Sequence, residues 1–421
     1  MPDERNTSRR VVLVAPFWNR PGHVGVYRVD RFLRWLAAEG VSVVLVRAAS
    51  RDWVTPRPWG VEIGVRDPFG FYPGQAPDQA SPHTRKASRL RRVVATTLFM
   101  PDPTVVWARR MARHPSVLAH ASGADLVLAS SPPESVHWGA ARLAERLRAR
   151  FIADLRDGWL DEPDRPVMAW RWRRWLEGRL EARILRRAGA ILVTSHRWKE
   201  LLDERLPEVA GKTVVVTNGY PLTDVPDPPP SLAPGVLTLL HAGRFSGSRR
   251  AQTVGAMLEP LSHVSPGGTD GRIRLLGDLE REDHSELESW APRLARVGWT
   301  VQAEPAVARL EMLRELATAD GLLLLAVPEA AIPSKLFEYL KARRPVLAVT
   351  PRTGAVWALG SELPQIFLLE PGTADVVPTV SAFLDACRSR DGEYVLPEEY
   401  GEPALAARFR TALALAGLDP G

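Results

Sequence analysis

Short runs of consecutive apolar residues alternate with amphipathic stretches almost from one end of the chain to the other. Val11–Ala15, Val41–Val46, Ala124–Ser130, Phe151–Arg156, Ala190–Ser195 and Thr213–Thr217 read as strands. Between them, helical spacing predicts helices near Val26–Glu39, Ser135–Arg150, Ala169–Arg187 and Trp198–Leu206. Near-continuous Val, Leu and Ile strands separated by helices predict a parallel sheet covered on both faces. A second series follows, with strands at Val236–Gly243, Arg272–Gly277, Trp299–Ala303, Gly321–Val327, Pro345–Val349 and Ile366–Glu370, and a last helix at Pro403–Ala416.

The two series are separated by PLTDVPDPPPSLAPG, Pro221–Gly235, too rich in proline for regular structure. The expected fold class is α/β, with two doubly wound, Rossmann-like domains facing across a cleft. The expected limits are 1–222 for the first domain, 223–235 for a linker, and 236–395 for the second domain. A C-terminal helix in 396–421 could pack back on the first domain. A length of 421 residues suits two or three domains. Pro68–His83 reads as a loop.

Composition narrows the class. The chain is 45% hydrophobic and 25% charged, as a soluble globular protein would be. One cysteine, Cys387, excludes an internal disulfide and a cysteine-based zinc cluster, and fits a reducing cytoplasm. MPDERNTSRR at the start is polar, and no apolar run approaches the roughly 18 residues that span a bilayer. Any membrane role is therefore expected to be peripheral, on the inner face of the cell membrane. The net charge of +6 favours anionic partners: nucleic acid, an anionic membrane or phosphate-bearing ligands. No recognition motif supports nucleic acid.

The densest chemistry lies in IPSKLFEYL, Ile332–Leu340, between two predicted strands. Its helix would start at a strand's C-terminal end, the edge where open α/β sheets bind ligands. Ser334 would cap it, Lys335 would add charge to a phosphate-binding helix start, and Glu338 could accept hydrogen bonds from ribose hydroxyls. The same spacing also suits an ordinary amphipathic helix. HAGRFSGSRR, His241–Arg250, ends another strand of that sheet. There Gly243 permits close backbone approach, and Arg244 and Arg249 suit a diphosphate.

In the first half, WNRPGHVGVYR places Gly22 and Gly25 in a turn before a helix, without the third glycine of a dinucleotide fingerprint. ADLRDGW brings Asp154, Arg156 and Asp157 to a strand end, where an ion pair between two of them is equally open. TNGY, Thr217–Tyr220, is a turn in which Asn-Gly readily takes positive φ.

Together the AGRFSGSR turn, the IPSKLFEYL helix with RPVLAV after it, SSPP, DLRDGW and TNG resemble a nucleotide-sugar-dependent glycosyltransferase of the GT-B fold, close to the retaining family four. The resemblance covers nearly the whole chain. It implies an acceptor-binding first domain and a donor-binding second domain. It implies that Arg244 and Arg249 bind the donor diphosphate and that Glu338 holds the ribose. Gly22, Gly25, Gly243, Ser334, Lys335 and Leu336 complete the implied donor site, and Asp157 takes the place of the family's usual histidine. The first glutamate of the paired motif falls at Ala330, beside Glu329, a departure that puts its sugar-hydroxyl contact in doubt.

The resemblance also implies retaining transfer, with the leaving diphosphate stabilised electrostatically and no protein nucleophile required. The chain contains no D-x-D triplet, so no metal and no other cofactor are expected. WRWRRW, Trp170–Trp175, would either lie on an anionic membrane surface or pack its tryptophans inward with arginines outward. The acceptor would be a lipid-linked sugar, a polysaccharide precursor or a natural-product aglycone. A nucleotide-sugar epimerase and a non-catalytic, nucleotide-binding scaffold are the competing functions.

Overall fold

Eight strands form the first sheet and six the second, and the chain divides into two units accordingly. The computed structural model describes residues 9–18, 25–70, 99–161, 170–223, 235–243, 245, 253–389 and 392–418.

Unit 1 comprises 1–194, 198–216 and 406–421. Its strands are β1 (Arg10–Val14), β2 (Ser42–Ala49), β3 (Trp53–Arg57), β4 (Gly60–Arg66), β5 (Leu126–Ser131), β6 (Arg150–Leu155), β7 (Ala190–Val193) and β8 (Thr213–Val215), in the order β3-β4-β2-β1-β5-β6-β7-β8. All neighbours run parallel except β3 and β4. Val11 to Val14 have no exposed surface, which explains their uninterrupted apolar run. The helices are α1 (Gly25–Ala38), α2 (Val105–Met111), α3 (Pro115–His120), α4 (Ser135–Leu147), α5 (Arg171–Arg187) and α6 (His196–Arg205).

The β3–β4 hairpin and the short helices α2 and α3 have no counterpart in the sequence reading. Pro56 and a buried Glu62 obscure the hairpin's strand pattern. Glu62 is tolerated there because Arg47 lies 2.7 Å from one of its oxygens and Arg57 lies 2.5 Å from the other. The helix expected to reach Arg150 stops at Leu147, because Arg148 turns left-handed with φ 56°.

Unit 2 comprises 195–197 and 217–405. Its strands are β9 (Val236–Ala242), β10 (Asp270–Leu276), β11 (Trp299–Glu304), β12 (Gly321–Leu325), β13 (Val346–Val349) and β14 (Ile366–Leu369), all parallel, in the order β11-β10-β9-β12-β13-β14. Its helices are α7 (Val254–Leu258), α8 (Arg281–Arg296), α9 (Arg309–Thr318), α10 (Ser334–Lys341), α11 (Ala355–Gly360) and α12 (Val377–Ser389). One hydrophobic cluster on each face of the sheet accounts for the two-sided burial of its strands.

The last helix, α13 (Glu402–Leu415), belongs to unit 1 from Ala406 onward. Its Phe409 ring stacks 4.9 Å from Phe32 and lies 5.3 Å from Trp35, both on α1. Residues 224–234 of the predicted linker, and the predicted loop from residue 71 on, lie outside the described residues.

Candidate active site

In unit 2 the strand order reverses direction at β9 and β12, which creates the crevice where open α/β sheets take ligands. Helix α10 starts after β12, on that edge. Its N-cap is Pro333, and Ser334 is the first helical residue, so the expected serine cap is not formed. Leu336 sends its side chain into the core, together with Phe337 and Leu340. The remaining face carries the charge.

Lys335 reaches back to β9, with Nζ 3.3 Å from Nε2 of His241. His241 is buried, and its Nδ1 lies 2.9 Å from the carbonyl of Leu323 on β12. A carbonyl only accepts, so Nδ1 carries the proton and the Nε2 lone pair faces the Lys335 ammonium. Burial, and then the Lys335 charge, hold the imidazole's pKa well below 6.5, in agreement with a neutral ring. Gly243 follows β9 at φ 117°, and a Cβ built there would lie 2.9 Å from Lys335 Nζ. The lysine thus passes directly over a backbone that only glycine leaves open. Tyr339, fully buried, accepts from the Ala242 amide at 2.8 Å and pins the end of β9 to α10.

Glu338, one turn after Lys335, is only 7% exposed. Its Oε1 lies 2.6 Å from Nη1 of Arg309, the first residue of α9. Burial raises the pKa of this carboxyl above its ordinary value, and Arg309 and then Lys335 oppose the rise.

Ala330 is buried, whereas the Glu329 side chain points to solvent. The Glu329 carbonyl accepts from the Ala355 amide at 2.6 Å. The Thr350 hydroxyl, at the end of β13, is buried without a hydrogen-bond partner among the described residues. Arg244, Arg249 and Gly22 lie outside the described residues.

In unit 1 the strand order reverses at β1 and β5. Asp154 on β6 is fully buried, not a cleft-edge charge. Arg28 of α1 grips it, with Nε 2.9 Å and Nη2 2.6 Å from Oδ1. Arg28 also donates to the Val216 carbonyl at 2.7 Å, and Ser130 donates to Asp154 Oδ2 at 2.6 Å. Asp154 therefore organises α1, β5 and β6, and its ion-pair partner is Arg28, not Arg156. Arg156 donates to the Ser131 and Pro132 carbonyls at 2.5 and 3.3 Å. Its guanidinium fills the space beside Gly25, where a Cβ would collide with it. Asp157 lines a cavity of about 10 Å³ with Asp161 and Arg205.

The WRWRRW helix does not have its tryptophans inside. Trp170, Trp172 and Trp175 are 42%, 57% and 58% exposed. Arg173 is the inward residue, 2.8 Å from Glu177, and it donates to the carbonyls of Phe99 and Pro101. The buried Glu177 needs a cation, which reverses the expected facing. The arginine between the tryptophans is held by a carboxylate on its own helix.

Residues 25–219 match the family model of the glycosyl transferase 4-like domain. No curated protein matches the sequence. Among solved structures, sucrose-phosphate synthase from Thermosynechococcus elongatus is 15% identical, with TM-score 0.60, covering 97% of this chain and 96% of the other. Anabaena HepE, in complex with UDP and glucose, is 13% identical, with TM-score 0.56 and coverage of 98% and 96%. A putative UDP-N-acetylglucosamine 2-epimerase from Listeria monocytogenes is 13% identical, with TM-score 0.55 and coverage of 97% and 96%. These likenesses give the fold, and the family match covers 25–219 alone.

The chain has the GT-B fold.

Within this fold the sequence located Lys335, Glu338 and Gly243 at one sheet edge. It missed Arg28, His241, Arg309 and Thr350. Strand-end position in HAGR was the one available signal for His241; Arg28, Arg309 and Thr350 are joined to their surroundings only through the folded sheet. No helix among the described residues is long and apolar enough to cross a membrane.

Proposed function

We propose that the chain is a glycosyltransferase that moves a sugar from a nucleoside-diphosphate sugar to an acceptor, with retention at the anomeric carbon and without a metal. The observation that carries this is helix α10. It offers the Lys335 ammonium over Gly243 and, one turn on, the nearly buried Glu338 carboxylate. A cation at a helix start suits a diphosphate, and a desolvated carboxylate suits the paired hydroxyls of a ribose. HepE, of like fold, was solved with UDP-glucose bound.

In this scheme the bond from the anomeric carbon to the diphosphate oxygen breaks as the acceptor oxygen bonds to the same face. The acceptor's proton passes to the departing diphosphate. Lys335, with Arg244 and Arg249, stabilises the charge that develops there. Asp157 serves the acceptor side, and the absence of a D-x-D triplet supports metal independence.

We further propose that the acceptor is lipid-linked or a polysaccharide precursor, met at the inner face of the cell membrane. Three exposed tryptophans beside exposed Arg171, Arg174 and Arg179 support an anionic membrane contact. The test incubates the protein with a panel of UDP-, GDP- and dTDP-sugars, with and without lipid-linked acceptors, in EDTA. Product is followed by NMR. A transferred sugar with unchanged anomeric configuration is expected. An inverted product, or a requirement for added metal, contradicts the mechanism. Turnover of donor alone to a C2 epimer indicates the epimerase instead.

A further inference from the structure

The His241 side chain is held on three sides. Its Nδ1–H donates to the Leu323 carbonyl at 2.9 Å, its ring stacks on Phe245 with centroids 4.1 Å apart, and its Nε2 meets Lys335 Nζ at 3.3 Å. Phe245 is itself buried and lies in sequence between Arg244 and Arg249. None of these contacts is needed to close the sheet, because the backbone of β9 is already paired in register with both neighbours.

We propose that His241 is a positioning residue for the donor diphosphate: as the Nδ1–H tautomer it uses its Nε2 lone pair to aim the Lys335 ammonium across Gly243. This rests on the donor site proposed above. A lysine side chain has four rotatable bonds and a strongly hydrated head, and by itself it would spread over many rotamers. An acceptor fixed behind it narrows that spread without neutralising the charge, because imidazole is uncharged. A carboxylate in the same place would hold the lysine equally well but would cancel the charge that the diphosphate needs. The glycine at 243 completes the device, since a Cβ would occupy the path of the ammonium. The aromatic stack fixes the imidazole plane, so the lone pair has one direction. His241 touches no reacting atom in this scheme and acts only through Lys335.

The test is calorimetric titration of UDP and of uridine into the full chain, as wild type, Lys335→Met, His241→Phe and the double variant. His241→Phe keeps the ring and its stack but removes both nitrogens. A charge-assisted hydrogen bond is worth about 1.5–3 kcal/mol, so Lys335→Met is expected to weaken UDP by about tenfold or more. His241→Phe should lose a similar factor, and the double variant should lose no more than the larger single loss. Uridine, which has no phosphate, should bind all four alike. UDP affinity retained in His241→Phe, while Lys335→Met is weakened, overturns the proposal. So does a double variant whose loss is the product of the two single losses. If Lys335→Met binds UDP as wild type does, the donor reading of Lys335 fails and the proposal fails with it. His241→Gln, whose amide oxygen can still accept from Lys335, guards against a phenylalanine variant that does not fold. Near-wild-type UDP binding in that variant supports the aiming role, and lost UDP binding with normal uridine binding overturns it.

Discussion

Arg309 Nη1 lies 2.6 Å from Glu338 Oε1, and the arginine is 26% exposed while the glutamate is 10% exposed at its side chain. A carboxylate that buried is costly to ionise without a partner. Arg309 is that partner, and it comes from a neighbouring helix, not from α10. Because the folded pKa of Glu338 lies above 4.5, acidification protonates it earlier than an ordinary glutamate. A protonated carboxyl accepts ribose hydroxyls poorly, so UDP affinity should fall from a higher pH than an unperturbed side chain would give. Arg309→Gln removes the main opposing influence, and its loss of UDP affinity should begin at still higher pH. UDP dissociation constants from pH 8 to 5 check this. Superimposable curves for the two proteins would contradict it.

His137 makes the opposite kind of pH prediction. It is fully buried, both ring nitrogens lack partners among the described residues, and desolvation lowers its pKa to about 4 despite the nearby Asp154. The unfolded chain binds the proton near 6.5 and the folded chain near 4, so the unfolded state holds more protons between those values. The stability that the neutral ring supplies is complete above 6.5 and is lost as pH falls toward 4. Linkage puts the loss at about 2 kcal/mol between pH 7 and pH 5. Urea unfolding of His137→Phe at the two pH values should show a correspondingly smaller drop than wild type. An equal drop in both proteins would assign the acid sensitivity to other groups.

Gly243→Ala combines two effects. A φ of 117° is strained for any residue with a Cβ, at a cost of order 1–3 kcal/mol. The new methyl also displaces the end of Lys335. Both lower stability and UDP affinity together, read by thermal unfolding and by titration. A variant with unchanged affinity would show that Lys335 does not need this path.

How much of this was legible in the sequence depends on range. The strand runs, the two series and the helix starting beside Ser334 were readable because their signals are local: uninterrupted apolar strands, a proline before a helix, charge one turn apart. Glu338 and Lys335 followed from that helix alone. Arg28 and Asp154 are 126 positions apart, and only the register of β1, β5 and β6 brings them together. His241 meets Leu323 because β9 and β12 are sheet neighbours, which no local spacing announces. The tryptophan helix was misread in its packing alternative because the inward residue is an arginine, and its cause, Glu177, sits a turn away on the same helix.

The tryptophan face yields a prediction of its own. Trp172 and Trp175 are more than half exposed, so replacing both with alanine should leave thermal stability within about 0.5 kcal/mol of wild type. Sedimentation with vesicles rich in phosphatidylglycerol, at low salt, should fall by roughly tenfold in the partition coefficient. Wild type that fails to sediment, or a double variant that sediments equally, would remove the membrane from the proposed acceptor side.

The most direct measurement is calorimetric titration of UDP, GDP, dTDP and ADP into wild type and Glu338→Ala. One diphosphate should bind wild type clearly better than the others. The substitution should weaken it by about tenfold or more, the loss expected for hydrogen bonds to a charged acceptor. Failure of all four to bind, or binding indifferent to Glu338, would contradict a donor site at the start of α10.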